Sequence, residues 1–281
     1  MQNKLKNIHL KNIHLKNIHL KNIHLKNIHF KNIIILFFFI FLVIIFNIKN
    51  SNADLTTVEI KKPKLIIFLH GIHEKEKRTN RRFKSMLKYF KRQGYYVNLM
   101  HYNSKDSFNN IVENLNERIR KEVDFKKYNV YIIAHSMGGI VAHYLITDYN
   151  LPINSVVMIS TPINGSAMAN YYSKGILSIF GNIIMGKPLK SISPDNEVIK
   201  NINSINYNVG MIISHKNKFA FSTISNLILK AENDGVVAVD EMKKEGIKDY
   251  TYINENHISV LYSPITHKQA QLFLEESHFK H

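Results

Sequence analysis

Beyond residue 63 the chain alternates between short apolar runs and longer stretches in which apolar residues recur every three or four positions. Lys64–Leu69, Tyr95–Met100, Val130–Ala134, Ser155–Ile159, Val209–Ile213 and Tyr250–Ile253 have the length and the β-branched or aromatic content of strands. Between them, Phe83, Met86, Leu87 and Phe90 mark one face of a helix ended by Gly94. Phe108, Ile111, Val112, Leu115, Ile119 and Val123 mark a second helix that is otherwise charged, and a closing helix is predicted over Pro264–Glu276. Near-continuous apolar strands alternating with amphipathic helices predict an α/β class, with a mostly parallel central sheet covered by helices on both faces.

The first 53 residues break this pattern. Residues 5–29 are five tandem copies of Leu-Lys-Asn-Ile-His, with a partial sixth copy beginning at Phe30. A five-residue period matches neither the 3.6-residue period of a helix nor the 2-residue period of a strand, so no continuous apolar stripe forms. The segment 1–32 therefore reads as a basic, disordered, low-complexity tract. Its histidines (His9, His14, His19, His24, His29) raise metal binding as an alternative. They point in successively different directions and no acid or thiolate joins them, so no metal site is expected. A pentapeptide β-helix is disfavoured by the bulky lysine in each copy.

Ile33–Phe46 is a run of fourteen apolar residues. As a helix it would span about 21 Å, short of the ~30 Å hydrocarbon core. A basic segment, a short apolar core and the small residues Ser51 and Ala53 together predict an export signal over 33–53, cleaved after Ala53 or retained as an anchor. The expected location is secreted or periplasmic, or membrane-anchored through 33–48. The remaining 54–281 suits one α/β domain.

Composition changes this picture little. The formal charge of +17 shrinks to +9 once the eight lysines of residues 1–53 are set aside. A basic domain is compatible with contact at an anionic membrane surface, but no nucleic-acid module accompanies the charge, and no nucleic-acid partner is expected. Cysteine is absent, which excludes disulfides and thiolate metal sites.

The chemistry concentrates around Ala134-His135-Ser136-Met137-Gly138. A serine between a strand and a helix, with small residues two before and two after it, reads as a nucleophile elbow with Ser136 at its apex. In a parallel sheet the site lies at the carboxyl ends of the strands. His70-Gly71-Ile72 follows the first strand directly, so the N–H groups of Ile72 and Met137 are candidates for an oxyanion hole. His70 reads as a hydrogen-bonding residue and His73 as loop surface. The acid and the base follow the serine in the chain: Asp234 in the turn Asn233-Asp234-Gly235, and His257 in the loop before the last helix. Asp240 and His267 are the competing candidates; His101, His143 and His215 are read as surface or core polar residues.

These motifs resemble those of the α/β-hydrolases of the lipase and esterase group, and of small secreted bacterial triacylglycerol lipases in particular. The carrying residues are His70-Gly71-Ile72, Ala134–Gly139, Asp234, His257–Ser263 and the turn Thr161-Pro162-Ile163-Asn164-Gly165-Ser166. An alanine in the elbow's first position is itself a feature of that group. The resemblance implies an α/β-hydrolase fold, Ser136, Asp234 and His257 as catalytic triad, Ile72 and Met137 as oxyanion donors, and no cofactor. It implies a carboxylic-ester hydrolase acting on lipid or acyl esters. A phospholipase, a lipid-anchor deacylase, an acyltransferase and a non-catalytic membrane-tethered protein remain open on the same fold. The serine excludes an aspartate-nucleophile hydrolase. The segment from about 166 to 205, with a glycine-punctuated apolar run over Gly175–Gly186, reads as a lid-like insertion or as a further core helix.

Overall fold

A computed structural model describes residues 35, 37–45, 62–72, 75–173, 188–217 and 222–281. The predicted repeat at 1–32, most of the predicted signal, His73 and the Gly175–Gly186 run lie outside the described residues. Contacts divide the chain into two units, Met1–Lys61 and Lys62–His281. In the first, residues 35 and 37–45 are helical and their apolar side chains are exposed. Among the described residues no helix is long and apolar enough to cross a membrane.

The second unit is built on one parallel sheet covered by helices. Its six strands are β1 (Lys64–Leu69), β2 (Tyr96–Met100), β3 (Asn129–His135), β4 (Ser155–Ile159), β5 (Val209–Ser214) and β6 (Asp249–Ile253). They form one sheet in the order β2-β1-β3-β4-β5-β6, and every pairing is parallel. The helices are α1 (Glu76–Arg92), α2 (Phe108–Glu122), α3 (Met137–Thr147), α4 (Ala167–Tyr172), α5 (Pro188–Ser191), α6 (Glu197–Lys200), α7 (Ser222–Leu229) and α8 (Pro264–Glu276).

Alternation along the strands sorts the core into two layers, because successive side chains point to opposite faces. Leu65, Ile67, Leu69, Val130, Ile132, Val156 and Met158 pack with α2 and α3 on one face. Ile66, Phe68, Ile133, Val157, Ile159 and Ile212 pack with α1 and α8 on the other. Both layers are buried, and each fully buried Ile, Leu or Phe contributes about 1.5–3 kcal/mol. The predicted helix stop at Gly94 is a Schellman motif: Gly94 has φ +83°, its N–H bonds Lys91 O at 3.1 Å, and the Tyr95 N–H bonds Phe90 O at 3.1 Å.

Strand order reverses between β1 and β3, where successive connections leave in opposite directions. That crevice is the expected ligand site of an open parallel sheet. Leu189, Ile192, Ile199, Ile202 and Ile205 are buried in the first layer, so the 188–205 part of the expected insertion contributes to the core. Residues 166–173 of the same insertion lead into and form α4, and 174–187 lie outside the described residues.

Candidate active site

The site begins with backbone geometry. Ser136 has φ 56° and ψ −130°, a conformation that costs a non-glycine residue about 1–3 kcal/mol. The strand arrives buried through Ala134 and His135, and α3 leaves at once from Met137. Glycines permit the sharp exit: a Cβ on Gly138 would stand 2.7 Å from both Leu69 O and His70 O, and one on Gly139 would collide with the Thr161 side chain. The same closeness brings the loop after β1 against the serine, since a Cβ on Gly71 would lie 2.9 Å from Ser136 Cβ.

Opposite the serine, the turn after α7 and the loop after β6 supply two further side chains. His257 Nε2 lies 3.1 Å from Ser136 Oγ, and His257 Nδ1 lies 2.7 Å from Asp234 Oδ2. The pair is buried, with side-chain exposures of 7% for His257 and 0% for Asp234. Asp234 is held on every side. Its Oδ1 accepts from the N–H groups of Val236 (3.0 Å) and Val237 (2.8 Å), and its Oδ2 also accepts from the Ser214 hydroxyl at 2.6 Å. Gly235, at φ 93°, makes the tight turn possible. The backbone ties the two loops together as well, since the His257 N–H donates to Asp234 O at 3.1 Å.

Each remaining candidate has a defined place. The N–H groups of Ile72 and Met137 have no acceptor among the described residues. His70 is buried and pushed down to about 4 by burial. One neutral tautomer satisfies both of its nitrogens, Nδ1–H donating to Gly71 O at 2.8 Å and Nε2 accepting from the Tyr102 N–H at 3.3 Å. The Tyr102 hydroxyl donates to His70 O, and the two rings stack at 3.9 Å. Asp240 is exposed and pairs with Lys243 at 3.2 Å. His267 is buried in α8 with its Nε2 on Leu261 O at 2.9 Å. Neither joins Ser136.

Three residues were not anticipated from sequence. Ser214, at the end of β5, bonds both Asp234 and the Ser160 hydroxyl, the latter at 2.5 Å. Ser160 itself follows β4 with φ 51°. His135 is buried beside the serine, and its Nε2–H donates to His257 O at 2.8 Å. Burial and the neighbouring His257 hold its pKa well below the ordinary value, so it is a neutral donor that fixes the His257 loop. A polar residue at the carboxyl end of an apolar strand was the available signal for Ser214 and His135.

A six-stranded parallel sheet that presents a strained serine on a strand-to-helix turn defines an α/β hydrolase. The chain belongs to the family described as serine aminopeptidase, S33, whose family model matches residues 61–216. It is 38% identical over 77 residues to triacylglycerol lipase 2 of Saccharomyces cerevisiae, a match covering 25% of this chain and 22% of the yeast protein. The fold is similar to the mature Bacillus licheniformis lipase BlEst2 (TM-score 0.59, 15% identity, 78% of this chain and 93% of that one). It is also similar to the phospholipase PlaB of Legionella pneumophila (TM-score 0.54, 18% identity, 64% of this chain and 45% of that one).

Proposed function

We propose that this protein is a serine carboxylic-ester hydrolase acting on lipid or acyl esters, with Ser136, His257 and Asp234 as its triad. The reading rests on one observation: the continuous chain from Ser136 Oγ through both nitrogens of His257 to Asp234 Oδ2. His257 Nε2 takes the serine proton as Oγ bonds to the ester carbonyl carbon. The resulting oxyanion is held by the N–H groups of Met137 and Ile72, and removing one such donor typically costs about 2.7–4 kcal/mol of barrier. The imidazolium, stabilised by Asp234, returns the proton to the leaving alcohol. Water then repeats the sequence on the acyl-enzyme.

The lipid or acyl ester as substrate is favoured by the names of the proteins this chain resembles, a yeast triacylglycerol lipase and a bacterial lipase. The family description raises peptide substrates as a second reading. A cavity of about 500 Å³ borders His70, and an aminopeptidase would need an acid there to hold the substrate ammonium. Glu76 lines that cavity, but Lys75, Lys105 and His101 line it too, which opposes a cationic substrate. Action outside the cytoplasm or at a membrane is proposed from the sequence of residues 33–53 alone.

The test is a series of p-nitrophenyl esters of increasing acyl length beside aminoacyl p-nitroanilides. Ester turnover that is lost in Ser136→Ala supports the reading. Turnover of the anilides alone, or of neither set, contradicts it.

A further inference from the structure

Net charge is distributed very unevenly over the hydrolase unit. Helix α1 carries eight basic residues, Lys77, Arg78, Arg81, Arg82, Lys84, Lys88, Lys91 and Arg92, against the single acid Glu76. It thus holds +7 of the +9 net charge of residues 54–281. The other long helices differ: α2 has three acids against three bases and an internal Arg118–Glu122 pair, and α8 has two acids and one lysine.

The apolar face of α1 is fully used, with Phe83, Met86 and Phe90 buried in the second core layer. Lys77, Arg81, Lys84, Lys88, Lys91 and Arg92 face outward and exposed, and among the described residues none of these six forms an ion pair with an acid. Like charges also stand four apart at 77/81, 78/82, 84/88 and 88/92, a spacing that destabilises a helix. Cations in the first turn oppose the helix dipole as well. Lys91 and Arg92 in the last turn complement the dipole, but the repulsion along the rest of the face is relieved by an anionic surface.

Two further features point to the kind of surface. Lys84, Lys88, Lys91 and Arg92 border a groove of about 480 Å³ with the half-buried Leu87, an apolar spot inside a ring of cations. In addition, α1 starts only four residues after Ile72, so its amino end lies on the site side of the sheet, while its charged length runs down the unit's flank. We propose that the outward face of α1 is a docking surface for anionic lipid bilayers, which sets the Ser136 site beside ester substrate in the membrane. The role assigned to docking rests on the ester-hydrolase reading; the surface itself does not.

The test uses residues 62–281, which contain the whole sheet and both core layers, after circular dichroism and a cooperative melt show that this chain is folded. Binding is measured by co-sedimentation with phosphatidylcholine vesicles with and without phosphatidylglycerol. The variant K84Q/K88Q/K91Q/R92Q is compared with K121Q/K126Q/K127Q/K268Q, which removes the same charge elsewhere. Each basic residue near an anionic surface is worth about fivefold in binding, so the α1 variant should bind several-hundred-fold more weakly. The proposal expects binding only with phosphatidylglycerol, weakening with salt, lost in the α1 variant and kept in the control. It also expects both variants to hydrolyse a soluble p-nitrophenyl ester at the parent rate. Equal binding to both vesicle types, equal loss in the two variants, or tighter binding to duplex DNA than to the vesicles at the same salt would overturn it. Loss of soluble-ester hydrolysis in the parent would instead strike the ester reading and leave the binding result to stand alone.

Discussion

Asp234 and Ser214 lie 2.6 Å apart at the buried end of the site, and the Ser214 hydroxyl donates to the same carboxylate oxygen, Oδ2, that faces His257 Nδ1. The carboxylate thus receives four hydrogen bonds while remaining fully buried. A buried carboxylate is tolerated only when its lone pairs are satisfied in this way. In the proposed triad, Ser214 therefore orients the acid that orients the base.

Ser214→Ala removes one charge-assisted bond, worth about 1.5–3 kcal/mol. The expected result is a lower melting temperature and a fall in kcat of about tenfold or more, with KM little changed. Steady-state kinetics on a soluble ester checks it; an unchanged kcat would show that Asp234 is held without it.

Asp234→Asn and Asp240→Asn separate the two candidate acids. Asparagine at 234 can present its amide to Nδ1 and favour the wrong tautomer, so kcat should drop by about 10⁴. Asp240 is exposed on a different partner, Lys243, and its substitution should leave kcat within about twofold.

The strain at Ser136 predicts an exchange of function for stability. Ser136→Gly relieves the φ 56° backbone and should raise the melting temperature while abolishing hydrolysis. Gly138→Ala should do harm on both counts, because its new Cβ meets two backbone carbonyls at 2.7 Å that have no rotamer to change. Calorimetry on the two variants gives shifts of opposite sign if this geometry holds.

Stability should fall as the solution is acidified through a defined window. His70 and His143 are each lowered from 6.5 to about 4, chiefly by burial. Both stay neutral in the fold, while the unfolded chain takes up protons below about 6.5, so stability declines as pH falls from about 6.5 to about 4. At about 1.4 kcal/mol per pKa unit, each ring accounts for about 3 kcal/mol at most. Chemical denaturation across this window should show the decline, and His143→Gln, two turns along α3 from Ser136 with its ring on the Tyr207 hydroxyl, should make it shallower.

Much of this organisation is legible in the residues themselves. The runs Ser155–Ile159 and Pro264–Glu276 coincide with β4 and α8, and Lys64–Leu69 with β1, because doubly buried strands and a proline-started helix leave unambiguous patterns. Ser136 and His257 stand out because each follows a strand directly, and Asp234 because it sits in the distinctive turn Asn233-Asp234-Gly235. Ser214 and His135 carry only the signal of a polar residue ending an apolar strand, and the roles of these two and of Ser160 depend on what the fold sets beside them. The pairing of β4 with β5 sets Ser160 beside Ser214, and nothing local to either serine encodes that pairing. The predicted insertion divides similarly: the isoleucines of 188–205 mark core only once the first layer is known.

The most direct measurement is intact-mass labelling with a fluorophosphonate probe, which bonds covalently only to a serine whose proton can be taken. A single adduct on the parent, absent in Ser136→Ala and strongly slowed in His257→Ala, is the result this account predicts. An adduct that survives Ser136→Ala, or none on a folded parent in both buffer and detergent micelles, would contradict it.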